Sequence, residues 1–242
     1  MDIIERTISF IIPALNEELF LEATVIELIP IAERYCQRFE IIIIDDGSSD
    51  ATPAIADRLA AADPRIKIIH HEKPCGVAVG FYEGVALASC HYVVIVPGDQ
   101  AYGRWGLENL IGAVGQAEMV LSYRNNQKKS RSLLRFLLAR AYVTFANLLF
   151  GIRLTDINSL ALLPVSELRK IDAQATHLGF YLEILVKLIR RNITYVVVPM
   201  DLNLERHVFG RSLLNRYVIK DVFRVYMHLL SVRLRGEKQR SE

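Results

Sequence analysis

The chain has 242 residues, 52% hydrophobic and 23% charged, which supplies a sizeable core and argues against disorder. A formal net charge of +2 excludes a protein that coats nucleic acid over its whole surface. Cys36, Cys75 and Cys90 are an odd set without metal-type spacing, and they read as buried thiols in a reducing compartment rather than a disulfide framework.

In chain order, Thr7–Pro13 is a strand too apolar to be half exposed, and residues 17–38 carry apolar side chains at three- and four-residue steps, a helical pattern. Glu40–Asp46 is a second buried strand that runs into a Gly-Ser-Ser turn. Ser49-Asp50 and Thr52-Pro53 then open an Ala-rich helix to about Ala62. Arg65–His70 is a third strand, Gly76–Ala88 a small-residue helix and Tyr92–Val96 a fourth strand. This alternation predicts a mainly parallel sheet covered on both faces. Beyond Asp99 the rhythm loosens: Met119–Ser122 is a further strand, Ser132–Phe150 a long helix and Tyr195–Pro199 a late strand. No repeat, low-complexity tract or Pro/Gly linker divides the chain, so one α/β domain is expected over residues 1–212, with a basic amphipathic helix and tail over 213–242.

The first residues are too acidic and interrupted for a signal peptide, and no window reaches roughly 18 uncharged apolar residues. The expectation is a chain made in the cytosol that does not cross a membrane. From residue 206 onward there are nine basic and three acidic side chains, a local balance of +6. That leaves −4 for the residues before it, so near-neutrality is a cancellation between two unlike parts.

Ligands of open parallel sheets bind outside the carboxyl ends of the strands. That rule brings Pro13–Glu18, Asp45–Asp50 and Pro97–Gln100 to one rim. Each cluster alone is ordinary turn and cap chemistry; three on one edge point to a ligand site. Gly76, Gly80 and Gly84 recur every fourth residue, for close approach either to a ligand or to the sheet. No Gly-x-Gly-x-x-Gly follows the first strand, which disfavours a dinucleotide oxidoreductase. His70, His71 and His91 read as structural.

These motifs, in this order, resemble those of family 2 glycosyltransferases of the GT-A fold. Ile11–Glu18 resembles the opening motif, Ile44–Asp50 the second, and Pro97-Gly98-Asp99 the Asp-x-Asp metal motif. Arg124 follows Leu121-Ser122-Tyr123 as in the Gly-x-Arg stretch, Asp156–Ser159 resembles an Asp-x-x-Ser segment, and Glu183 resembles the helical glutamate. Val198-Pro199 and Arg206–Ser212 resemble the late signatures, and the subgroup most similar is the polyprenyl-phosphate (dolichol-phosphate) mannosyltransferase-like enzymes.

The resemblance implies an inverting transfer of a hexose from a nucleotide sugar to a polyprenyl phosphate, by an enzyme peripheral on the cytosolic membrane face. Pro13, Leu15, Glu17, Asp45, Asp46 and Gly76 would hold the nucleotide, although Asp45-Asp46-Gly47 also reads as a plain turn and cap. Asp99, with the displaced Gln100, would hold Mg2+ or Mn2+. Pro97 replaces the first aspartate, so a metal-independent or non-catalytic nucleotide-sugar-binding relative stays open, as does a saccharide or small-molecule acceptor. Arg124 and Arg135 would steer the acceptor phosphate and Arg206 the leaving diphosphate. Six basic residues and no acid lie between Leu121 and Arg140, beside Leu133, Leu134, Phe136, Leu137 and Leu138. The run reads as a solvated face or as a membrane-surface segment. Arg216, Lys220 and Arg224 form a second basic stripe, on a helix that either lies in a membrane interface or packs on its own domain or a partner subunit. An oligomer is compatible with all of this, and nucleic acid is not an expected partner.

Overall fold

A computed structural model describes residues 6–126, 133–171 and 179–203 together with 227, 230 and 231; for 133–135 it describes the backbone alone. The elements run β1 (Thr7–Ala14), α1 (Leu21–Tyr35), β2 (Arg38–Asp45), α2 (Thr52–Ala62), β3 (Ile66–His70), α3 (Val77–Leu87) and β4 (Tyr92–Ile95). They continue with α4 (Arg104–Gly112), β5 (Met119–Arg124), α5 (Leu133–Phe150), β6 (Ala161–Pro164), α6 (Val165–Leu168), α7 (Phe180–Arg190) and β7 (Tyr195–Met200).

The strands form one sheet in the order β3-β2-β1-β4-β6-β5-β7. β3, β2, β1 and β4 are parallel neighbours, as the βα alternation predicts. β6 is the exception: it runs antiparallel between β4 and β5, with Val93 opposite Leu163 and Val120 opposite Leu162. It is four residues long and lies in an apolar stretch without alternation, so its sequence carries little strand signal.

Strand side chains alternate between two cores. Ile8, Phe10 and Ile12 pack with Ile41 and Ile43 against α1, α2 and α4. Ile11, Ile42 and Ile44 face α3, α5 and α7. A Cβ on Gly80 would stand 2.7 Å from Ile44 Cγ2 and one on Gly84 2.6 Å from Ile11 Cδ1, so these two glycines let α3 lie close on the sheet.

Glu40 is among the polar side chains buried within this sheet. Glu40 accepts from Ser9 Oγ, Lys67 Nζ and the Ser89 N–H, each at 2.6 Å, and so ties β1, β2, β3 and the approach to β4 together. Burial alone would push Glu40 up; these three partners outweigh it and hold the carboxyl below the usual range.

Two expectations are corrected here. α1 begins at Leu21 rather than Glu17, because the amides of Glu17 and Glu18 are bound to Thr52 Oγ1 and Asp50 Oδ2 across the next loop. Of the three thiols only Cys90 is buried; Cys36 is half-buried and Cys75 is exposed. Apart from the helical Met227, Leu230 and Ser231, the expected C-terminal helix lies outside the described residues. Among the described residues, no helix is long and apolar enough to cross a membrane.

Candidate active site on the strand-end rim

β1 ends with Ala14 opposite Asp45 of β2, and Ile11 of β1 stands opposite Ile95 of β4, so the three polar clusters emerge on one edge. The first two loops are zipped together. Asn16, at φ 57°, accepts from the Ser49 N–H at 2.9 Å and donates its own N–H to Ser48 Oγ at 3.0 Å. Glu18 accepts from the Ala51 N–H at 3.0 Å, and Asp50 from the Thr52 N–H at 2.9 Å, which satisfies amides at the start of α2. The expected helix-start chemistry is therefore present, shared between two loops.

Asp45 and Asp46 divide their tasks. Asp45 accepts from the Ser48 N–H at 3.1 Å and faces His70 Nδ1 at 2.8 Å, a turn-holding role. Asp46 holds the loop before α3: Oδ1 faces His71 Nδ1 and accepts from the Cys75 N–H, both at 2.7 Å, and Oδ2 accepts from the Gly76 N–H at 2.9 Å. Burial would raise Asp46, but these bonds outweigh it and keep the carboxyl below its ordinary value. His71 Nε2 faces Glu83 of α3 at 2.6 Å, and the two flanking carboxylates raise this imidazole against the opposing effect of burial. Gly47 lies under the same loop at φ 74°, where a Cβ would come within 2.7–2.9 Å of the Lys73-Pro74 backbone. Gly76, at φ 93°, turns the chain into α3.

The charge on this rim is negative. Burial raises Glu17 to about 7, with Asp99 and Asp50 adding to the shift. Asp99 accepts from the Ala101 N–H at 3.0 Å through Oδ1. Pro97 offers no side-chain ligand atom. One carboxylate amid this negative potential fits a divalent cation that draws its other ligands from an anionic substrate. Gln100, at φ 55°, is buried and lines a cavity of about 460 Å³ with Thr24, Leu28, Ile31, Pro97 and Leu107; its amide has no protein partner there.

Leu15 is exposed and Pro13 half-buried at the end of β1. Arg124 is buried at the end of β5, and its guanidinium is gripped by Asp156. Ser159 lies 2.5 Å from Ser122, so the Asp156–Ser159 segment docks on β5 before entering β6. Glu183 is buried in α7 with Lys187 Nζ at 2.6 Å. Arg135 belongs to α5, but its side chain, like Arg206, lies outside the described residues.

Sequence reasoning missed the Asp46–His71–Glu83 chain, because Glu83 reads as an ordinary helix-surface acid. It also missed Tyr102, which donates to the Asn158 carbonyl at 3.2 Å, while Tyr102 and Leu202 pair as a bridge. The segment after Asp99 is thus tied both to Asp156–Ser159 and to the chain after β7. The signal for such long-range pairing is not local.

The model of glycosyl transferase family 2 matches residues 9–158. The chain is 34% identical over 113 residues to glycosyltransferase AglD of Haloferax volcanii, covering 46% of this chain and 18% of that protein. It is 27% identical over 132 residues to polyprenol monophosphomannose synthase of Mycolicibacterium smegmatis, covering 51% of this chain and 50% of that one. It therefore spans half or less of the length of these curated relatives. A crystal structure of glucosyl-3-phosphoglycerate synthase from Mycobacterium tuberculosis, in complex with Mn2+, uridine-diphosphate-glucose and phosphoglyceric acid, aligns with a TM-score of 0.71 at 20% identity, over 94% of this chain and 80% of that one. That likeness is one of fold. With the matched span running from β1 through the Asp156 segment and the strand-end rim inside it, the chain belongs to glycosyl transferase family 2, built on the GT-A fold.

Proposed function

We propose that this chain carries the catalytic domain of an inverting glycosyltransferase that moves a hexose from a nucleotide sugar to a polyprenyl phosphate at the cytosolic face of a membrane. The observation that carries this reading is the gathering of Glu17, Asp46 with its bound 71–76 loop, and Asp99 on one strand-end rim, within a family 2 sequence. Pro13 and Leu15 flank the nucleoside and Glu17 accepts from its ribose. Asp46 acts by holding the Cys75-Gly76 backbone against the base pocket, because its oxygens already accept from that loop. Asp99 is the residue that would hold Mg2+ or Mn2+; a bound cation supplies neutralisation of the charge that develops on the leaving diphosphate. Arg124 acts as a positioning residue through Asp156. Steering of the acceptor phosphate falls to the basic segment with Arg135, and clamping of the leaving group to Arg206.

A phosphate acceptor needs no general base to become a nucleophile. A phosphate monoester with a second pKa of roughly 6 is already largely ionised at pH 7. Its oxygen attacks the anomeric carbon, the bond from that carbon to the diphosphate breaks, and the electron pair leaves with the nucleotide. Attack by a sugar hydroxyl would require a base.

Membrane contact is supported by α5, which exposes Leu137, Leu138, Phe145 and Leu148 beside Arg140. The partial likeness to a polyprenol monophosphomannose synthase supports the same acceptor class. The test is transfer of labelled hexose to polyprenyl phosphate, to the matching polyprenol and to a free saccharide. Transfer to the phosphate alone is expected. Transfer to the saccharide but not to the phosphate would overturn the acceptor assignment.

A further inference from the structure

Asp46, His71 and Cys75 converge beside the proposed donor pocket. A carboxylate oxygen, an imidazole nitrogen and a sulfur from these three residues all lie within 4.8 Å of one another. They come from three neighbouring places in the fold: the end of β2, the residue after β3, and the loop entering α3. We propose that they form a second metal site, one that takes Zn2+, distinct from the cation position at Asp99.

Three features of the geometry support this. First, His71 is already oriented as a metal ligand. Its Nε2 faces Glu83 Oε2 at 2.6 Å, the carboxylate–imidazole arrangement that fixes tautomer and ring direction in metal sites and leaves Nδ1 for the ion. Second, Asp46 is held from outside. The Gly76 N–H reaches Oδ2 at 2.9 Å and the Cys75 N–H reaches Oδ1 at 2.7 Å, which turns the remaining lone pair of Oδ1 toward His71 Nδ1, 2.7 Å away. Third, Cys75 is exposed, which leaves an open side where water completes a four-coordinate ion.

The donor set selects the ion. A thiolate, an imidazole and a carboxylate suit Zn2+, whereas Mg2+ and Mn2+ favour the oxygen ligands available at Asp99. On binding, Zn2+ takes the position between Nδ1 and Oδ1, and the proton that bridges them is released to solvent. The Cys75 thiol releases its proton to solvent, and two anionic ligands balance the dication. No redox change is involved. Because the Cys75 and Gly76 amides hang on the same Asp46 carboxylate, an ion here stiffens the loop that borders the donor pocket.

The experiment uses Zn2+ in calorimetry and Co2+ in absorption spectroscopy, with the full chain and no nucleotide. One Zn2+ per chain is expected, with a thiolate-to-Co2+ charge-transfer band in the near ultraviolet. Cys75→Ser should remove the band and weaken Zn2+ at least roughly tenfold, and Glu83→Ala, outside the ligand set, should weaken it about 10–100-fold while keeping the band. Asp99→Asn should leave both signals in place. Absence of stoichiometric Zn2+ binding, or binding that Cys75→Ser leaves unchanged, overturns the site. Cys75 is exposed, so this variant is expected to fold even if a His71 variant does not. None of these readouts requires glycosyl transfer, so failure of the donor reading and failure of this site are separable.

Discussion

Arg124 and Asp156 form a two-pronged buried ion pair, with Nε 2.8 Å from Oδ2 and Nη2 2.7 Å from Oδ1. The Arg124 N–H also reaches Oδ2, at 3.3 Å, so one aspartate holds both the backbone and the side chain at the end of β5. Removing one partner leaves an uncompensated buried charge. Arg124→Ala or Asp156→Ala should each cost about 3–5 kcal/mol in urea unfolding, and the double variant less than the two combined. Arg124→Lys should fail to restore stability, because an ammonium cannot make the paired contact.

Gly47 makes possible the close approach of the Lys73-Pro74 backbone beside the proposed donor pocket. Gly47→Ala would place a Cβ at φ 74° against the Lys73-Pro74 backbone, where the obstacle is main chain and not a flexible side-chain tip. A loss of about 1–3 kcal/mol is expected, with weakened nucleoside-diphosphate binding in calorimetry because the Cys75-Gly76 segment is displaced. Unchanged binding would show that this loop does not border the nucleotide.

Glu40 should make the fold acid-labile. Its carboxyl is held below the ordinary glutamate value of 4.5, so its stabilisation is fully present above that value and is lost as pH falls through the lower folded value. Glu40→Gln should cost roughly 1.5–3 kcal/mol at pH 7 and progressively less on acidification, as followed by denaturant unfolding at several pH values.

Glu17 has the opposite sign. Its folded value is raised from 4.5 to about 7, so it costs nothing below 4.5, increasingly destabilises between the two values, and exerts its full cost above about 7. Glu17→Gln should raise the unfolding midpoint at pH 8 in chelator and leave it nearly unchanged at pH 4. The same variant should lower nucleotide affinity roughly tenfold, since it removes the charged acceptor proposed for the ribose.

The half of the fold built from local βα units was readable because its strands are long, apolar and bounded by turn residues. β1 and β2 are buried almost throughout, and their expected bounds fall within a residue or two of those observed. β6 was not readable, since a four-residue antiparallel strand between β4 and β5 is specified by partners far away in sequence. The rim followed from strand direction, which brings the ends of β1, β2 and β4 together. What each acid does there did not follow. Asp46 and Gln100 look like ligand-facing residues in the sequence, yet one is taken up by the 71–76 loop and the other lines a cavity against α1 and α4. Cys75 was expected to be buried because free cysteines usually are; its place on a glycine-gated loop brings it to the surface instead.

The most direct measurement is transfer of labelled hexose from a panel of nucleotide sugars to polyprenyl phosphate, by the unaltered chain and by Asp99→Asn, with and without a chelator. Transfer from at least one donor is expected, lost on chelation and reduced roughly 100-fold or more in Asp99→Asn. Tight nucleotide binding without transfer from any donor would contradict this expectation.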